Sequence, residues 1–342
     1  MKLWIDALTP KQLLFSEQII EKLGKKCDLL CTSRGYTEVS NLAKIRNFSP
    51  LFVGKYGGAD KKTKFKASID RIKKLTRKIE EFSPDMAISF CSPEAARISF
   101  GLGIKHVGFS DTPHADAVMR LTVPLIQKLL APQIIPKNEF AKYGINKKNI
   151  IQYNALDAAV TIKRNTDQNK PLPFKVNKMK NILIRIEEEE AAYASKSNKI
   201  IPIIKQIISE HGDENIVILG RYSKQIQSLK KKFGAKAKII KMSFDGKHLL
   251  NHTDIFIGSG GTMTAESALS GIPTISYNAV PNIVEKFLVR KKLIKREIDP
   301  KKIVNIIQKN TKPTNNLHKK RAKQFVDQME DPIQKLIEVI RE

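Results

Sequence analysis

Short runs dense in Ile, Leu, Val and Phe alternate, from the first residue onward, with longer stretches in which apolar residues recur every three to four positions. An apolar run bounded by turn residues reads as a buried strand, and the longer spacing as one face of a helix. The pattern predicts strands over 2–6, 28–34, 50–56, 85–90, 105–110 and 132–136. Between them it predicts helices over 10–23, 60–82, 94–101, 124–130 and 138–143. Thr9 stands where it can cap the first helix, and Pro10 suits the first helical position. Such alternation builds an open, mostly parallel sheet with covered faces.

The pattern lapses over 163–180, KRNTDQNKPLPFKVNKMK, where Asn, Asp, Pro and Lys leave almost no apolar periodicity. It then resumes with strands over 181–186, 215–220, 238–242, 254–258 and 274–277 and helices over 199–210, 224–233 and 282–293. A last helical stretch, 317–341, has no strand after it and is expected to return to the first half. The expected fold class is α/β, with two Rossmann-like domains facing a cleft. The expected boundaries are 1–165 for the first domain, 166–179 for a linker, 180–315 for the second domain and 316–342 for a C-terminal crossing helix.

A length of 342 residues agrees with two domains at roughly 150 residues each. With 41% hydrophobic and 28% charged residues the chain is ordinary globular material. No apolar run approaches the ~18–20 residues that cross a bilayer. The opening MKLWIDALTPKQLLF carries Asp6 where a signal peptide would be apolar, so a cytoplasmic location is expected. Cys27, Cys31 and Cys91 are odd in number and suit reduced thiols, and no second Cys or His pair completes a zinc site with Cys27 and Cys31.

The net charge of +27 changes the picture more. It favours polyanions, anionic lipid surfaces or phosphorylated substrates without choosing among them. Lysine is spread along the chain. The densest cluster, Arg290-Lys291-Lys292, lies on the amphipathic stretch 282–293 with Lys295 and Arg296 just beyond, which leaves peripheral contact with an anionic membrane open. Aromatics are only 7% and no RNA-binding or zinc signature is present, so nucleic acid is disfavoured as a partner.

In parallel sheets ligands bind beyond the carboxyl ends of strands. The segments that follow the predicted strands are small and polar throughout, and IGSGGTMTAESALSGIPTISYN, 257–278, is the most informative. Gly258, Gly260 and Gly261 let backbone N–H groups approach a phosphate, and the helix that follows points its positive end at an anion. A dinucleotide fingerprint would need glycine where Met263 stands, and a P-loop would need a Lys that is absent. Glu266 sits one turn into the helix, and a carboxylate there suits a ribose diol; the plainer reading is an acid stabilised by the helix dipole.

These residues resemble the GT-B superfamily of nucleotide-sugar glycosyltransferases and non-hydrolysing UDP-N-acetylglucosamine 2-epimerases. Within it the likeness is to the uncharacterised family catalogued as domain of unknown function 354, carried by WIDALTPKQ (4–12), SDTPHA (110–115), RIEEEEAAY (185–193) and GSGGTMTAE (258–266). The resemblance implies that Ser259, Gly260, Gly261 and Thr262 hold a diphosphate, that Glu266 holds the ribose, and that 243–246 lies near the base. The epimerases carry a His-Arg pair after the first strand of the second domain. Here that region reads Arg185-Ile186-Glu187, which weighs against the epimerase.

The remaining candidates come from the residues themselves. His114, in DTPHAD, can act as general base beside Asp111, or the two can simply close the loop; His114 with Asp116 lacks a third metal ligand. Glu187 to Glu190 form an acidic run at a strand end that can bind a cationic group, a metal-diphosphate or sugar hydroxyls, or can be a solvated turn. Arg185 and Arg221 can neutralise phosphates, and Tyr193 can stack on a sugar or base. The reading is a glycosyltransferase-like enzyme using a nucleoside-diphosphate sugar, with UDP favoured, and a glycan or lipid-linked acceptor. No tightly bound cofactor and no metal site are expected. An epimerase-like enzyme and a non-catalytic polyanion or membrane binder are the alternatives.

Overall fold

The computed structural model describes residues 1–24, 26–167, 171–174, 179–187, 200–241, 244–277, 282–310 and 316–341. Two compact units form: Met1–Thr161 with Glu330–Glu342, and Ile162–Met329.

Unit 1 is built on strands β1 (Lys2–Asp6), β2 (Asp28–Gly35), β3 (Leu51–Lys55), β4 (Met86–Ser89), β5 (Lys105–Phe109), β6 (Lys128–Pro132) and β7 (Ile150–Tyr153). They lie parallel in the order β3-β2-β1-β4-β5-β6-β7, so the strand order reverses between β1 and β4. Trp4 packs with Val53, Leu75, Ile79 and Ala87 on one face, and its indole N–H donates to Thr32 Oγ1 at 2.8 Å, pinning β1 to β2. Thr9 caps the helix Pro10–Leu23 as its sequence predicts, accepting from the Gln12 amide. The C-terminal helix Pro332–Arg341 docks here: Ile333 and Leu336 are buried, Asn154 N donates to Glu330, and Lys22 pairs with Asp331.

One stretch departs from expectation. The run 124–130 is not a helix, and the strand is not 132–136. A single 3-10 turn, Val123–Leu125, precedes β6 at Lys128–Pro132. The apolar run there is too short for its periodicity to separate helix from strand, and Pro124 opens a turn as readily as a helix. Strand β7 and the helix Asp116–Thr122 are further elements beyond those predicted.

Unit 2 carries β8 (Asn181–Arg185), β9 (Asn215–Gly220), β10 (Lys238–Lys241), β11 (Ile255–Gly258), β12 (Thr274–Ser276) and β13 (Lys295–Arg296), in the parallel order β10-β9-β8-β11-β12-β13. Alternate residues of each central strand face opposite layers. Ile182, Ile184, Ile216, Ile218, Ile255 and Ile257 join the helices Ile200–Glu210 and Pro300–Asn310 in one core, whereas Leu183, Val217, Leu219, Phe256 and Met263 form the other. Burying each such side chain is worth roughly 1.5–3 kcal/mol. Leu172 and Phe174, from the stretch without periodicity, pack on the second of these cores. Buried Arg164 pairs with Asp245, so the entry to this stretch is fastened to unit 2.

The final helical stretch is two helices, Asn316–Asp327 and Pro332–Arg341, because Asp331 accepts from Ile333 N at 2.9 Å and Pro332 starts a new helix. No helix among the described residues is long and apolar enough to cross a membrane.

Candidate functional site

The strand order of unit 2 reverses between β8 and β11, and the crevice beyond such a reversal is where open α/β sheets bind ligands. Arg185 and Glu187 end β8, Arg221 follows β9, and the glycine loop follows β11. Three adjacent strands therefore bring Arg185, Glu187, Arg221 and the glycine loop to one rim.

Each glycine in the loop has a different reason to be there. A Cβ on Gly258 would lie 2.3 Å from Thr264 Oγ1 and 2.6 Å from the Phe256 ring, so packing alone requires glycine. Gly260 has φ 100°, a left-handed conformation, and its N–H donates to Thr264 Oγ1 at 3.2 Å. Gly261 is exposed, has φ −83°, and a Cβ there would meet nothing within 4 Å. Gly261 is the N-cap of the helix Thr262–Leu269 and supplies no side-chain cap; its carbonyl accepts from Thr264 N at 3.1 Å and Ala265 N at 3.2 Å, which leaves the amides of exposed Thr262 and of Met263 with no carbonyl one turn back. Glu266 is half-buried on the second turn of that helix.

The loop is braced from two sides. Asn282 Nδ2 donates to Gly260 O at 2.9 Å while its Oδ1 caps the helix Ile283–Arg290 by accepting from Glu285 N. Buried Tyr277, just past β12, donates its hydroxyl to Glu187 at 2.6 Å, lies 3.3 Å from Arg185 O, and is hydrogen-bonded by the Ser259 side chain. Burial and the Glu187 carboxylate together hold the Tyr277 phenol well above its ordinary pKa, so it stays a donor. Arg185 is buried and reaches Gly220 O at 3.3 Å, and Arg221 is half-buried with its amide donating to Gln225. Tyr277 and Asn282 are the parts that sequence reasoning missed.

The stretch 243–246 has a structural role in part. Asp245 caps the helix Gly246–Leu250 and pairs with Arg164. Ser243, Glu188, Glu189, Glu190, Tyr193 and Asn278 lie outside the described residues.

Unit 1 gathers its charges differently. His114 is exposed overall, but the protein around its ring displaces enough water to push its pKa down, and Asp111, which pulls the other way, leaves it below the ordinary value. A neutral imidazole at pH 7 is the form that accepts a proton. Asp111 lies 2.5 Å from Lys11 Nζ, which also reaches buried Asp157 at 2.8 Å, while Tyr153 donates to Asp157 at 2.5 Å. Burial alone would push the Lys11 pKa down; Asp111 and Asp157 outweigh it and hold it up. Tyr153 ends β7, while Lys11 and Asp157 open the helices Pro10–Leu23 and Asp157–Lys163 that follow β1 and β7, and none carried a signal beyond that position.

Where the strand order of unit 1 reverses, Arg71 forks onto Asp6 at 2.5 and 3.1 Å and donates to Val53 O at 3.0 Å. Cys91, at the turn after β4, has left-handed φ 51°, but it is buried and its pKa is pushed up to about 12, so it is a packed thiol rather than a nucleophile.

A family model described as "Protein of unknown function (DUF354)" matches residues 1–342. An uncharacterized protein of Methanocaldococcus jannaschii is 28% identical over 318 residues, 91% of this chain and 92% of that protein. Among solved structures, a UDP-GlcNAc 2-epimerase from Neisseria meningitidis bound to UDP-GlcNAc superposes with a TM-score of 0.74 at 15% identity, covering 99% of each chain. The spinosyn rhamnosyltransferase in complex with spinosyn aglycone superposes with a TM-score of 0.64 at 13% identity, covering 100% of each chain. At that identity the likeness shows the fold, which is a two-domain GT-B-like α/β fold. The chain belongs to the DUF354 family.

Proposed function

We propose that the chain is a GT-B-type, glycosyltransferase-like enzyme whose unit 2 binds a nucleoside-diphosphate sugar. The observation that carries this reading is Gly261. It caps a helix at the β8/β11 reversal, exposed, with space where a side chain would stand, although its φ would accept any residue. Neither packing nor backbone strain asks for glycine there; close approach of an anion to the backbone does. In this reading the amides of Ser259, Gly261 and Thr262 hold the diphosphate, the Gly260 N–H shapes the loop through Thr264 Oγ1, and Glu266 accepts from the ribose hydroxyls. Arg185 and Arg221 add positive charge at neighbouring strand ends. Glu187 acts through Tyr277, fixing the wall of the loop. His114 is the proposed base toward an acceptor hydroxyl, with Asp111 held in place by Lys11.

Fold neighbours support the substrate class by what their structures contain: UDP-GlcNAc in the epimerase, an aglycone acceptor in the rhamnosyltransferase. The epimerase is the alternative, and the buried Arg185-Ile186-Glu187 stretch, with no histidine, argues against it. Incubation with UDP-GlcNAc separates the two. Conversion to the C2 epimer without acceptor, seen by proton NMR, would establish the epimerase; UDP release that requires added acceptor glycan or lipid would establish transfer.

A further inference from the structure

Helix Lys61–Phe82 packs on unit 1 through Arg71, Leu75 and Ile79. Its first half does something else. Phe65 and Ile69, one turn apart on one face, are 67% and 51% exposed. Lys61, Lys62 and Lys66 are exposed around them, and Lys64 is half-buried. Asp60, whose carboxylate caps the helix at Thr63 N, offsets one of these charges, and Asp70 is paired with Lys74, so the face stays positive. The helix start is held firmly: Thr63 Oγ1 donates to Gly57 O at 2.6 Å, and a Cβ on Gly57 would lie 2.6 Å from Lys64 Cα. A rigid helix end thus presents an aromatic and a branched aliphatic side chain to water inside a ring of lysines.

We propose that this face docks on an anionic lipid bilayer. Phe65 and Ile69 enter the headgroup boundary, and Lys61, Lys62 and Lys66 meet lipid phosphates. Nucleic acid would engage the lysines but leave the two apolar side chains in water. A second copy of the chain would set lysine against lysine, and two side chains are far short of the about 800 Å² per partner that a stable dimer buries. The helix Ile283–Arg290, which leads into the Arg290-Lys291-Lys292 cluster where sequence suggested membrane contact, exposes no large apolar side chain of its own: Leu288 is buried, and Phe287 is covered by Phe325 with Lys291 over both rings. The proposal is independent of the glycosyltransferase reading.

Sedimentation with phosphatidylcholine vesicles, with and without about one-third phosphatidylglycerol, tests it. The full chain is expected to pellet with the anionic vesicles only. F65S/I69S, two surface changes that leave the fold intact, is expected to bind at least about tenfold more weakly, and K62E/K66E likewise. No binding by the wild type, or equal binding by F65S/I69S, overturns the proposal. Light scattering that shows a dimer dissolved by F65S/I69S would assign the face to self-association instead. Binding equal in both proteins and abolished by RNA would assign the lysines to a polyanion.

Discussion

After β4 in unit 1 the chain turns into its helix through Cys91-Ser92-Pro93; after β11 in unit 2, on the corresponding side of the strand-order reversal, it turns through Ser259-Gly260-Gly261-Thr262. The first turn is closed. Ser92 Oγ accepts from Ala95 N at 3.2 Å, Pro93 has no N–H, and Cys91 and Ser92 are buried. The second leaves a helix capped by an exposed glycine. Side chains behave in the same way at the unit 1 reversal, where Asp6 and Glu94 are both engaged by the one guanidinium of Arg71. One topology therefore serves two purposes: the unit 1 crevice is sealed by its own polar groups, and the unit 2 crevice presents backbone.

The seal in unit 1 can be broken. Arg71→Met leaves the Asp6 carboxylate buried without its partner and should cost about 3–5 kcal/mol, and adding Asp6→Asn should restore much of that loss. Urea unfolding of both variants checks it.

Acid provides a second route. His106, buried against Ser89 Oγ at 2.9 Å, has a pKa of about 4 because burial disfavours the charged ring. Between about pH 6.5 and 4 the unfolded chain binds the proton and the folded chain does not, so stability is lost as pH falls through that window, by about 3 kcal/mol in all. Below pH 4 both forms are protonated and the slope from this group ends. His106→Gln should flatten the slope.

The glycine loop offers a third contrast. Gly258→Ala forces a Cβ onto Thr264 and Phe256 and should cost about 1–3 kcal/mol. At the unit 1 cap Ser92→Ala should cost about 1 kcal/mol, and the smallest effect is expected at the unit 2 cap, where Gly261→Ser, by supplying a cap, should stabilise by roughly a few tenths of a kcal/mol.

Much of this was legible beforehand. Buried parallel strands write themselves as short Ile- and Leu-rich runs, so 215–220 and the central strands of both sheets stood out. The glycine loop was legible because glycine has few reasons to cluster at the end of a strand. Lys128–Pro132 was not, since an apolar run with prolines at both sides carries no decisive period. The partners of the site residues were also hidden. Tyr277 binding Glu187 across 90 residues, and Lys11 joining Asp111 to Asp157, are products of strand order, which local pattern does not encode.

The central claim is that the backbone at Gly261 holds a nucleotide diphosphate with Glu266 on the ribose. Calorimetric titration of wild type, Gly261→Val and Glu266→Ala with UDP, GDP and UDP-GlcNAc, alongside their melting temperatures, tests it most directly. Selective binding by the wild type and at least about tenfold weaker binding by both variants, a loss of about 1.4 kcal/mol or more, is the expected result, with Gly261→Val melting no more than a few degrees lower because valine is a poor N-cap. Variants that bind as the wild type does, or a folded wild type that binds none of the three, would contradict it.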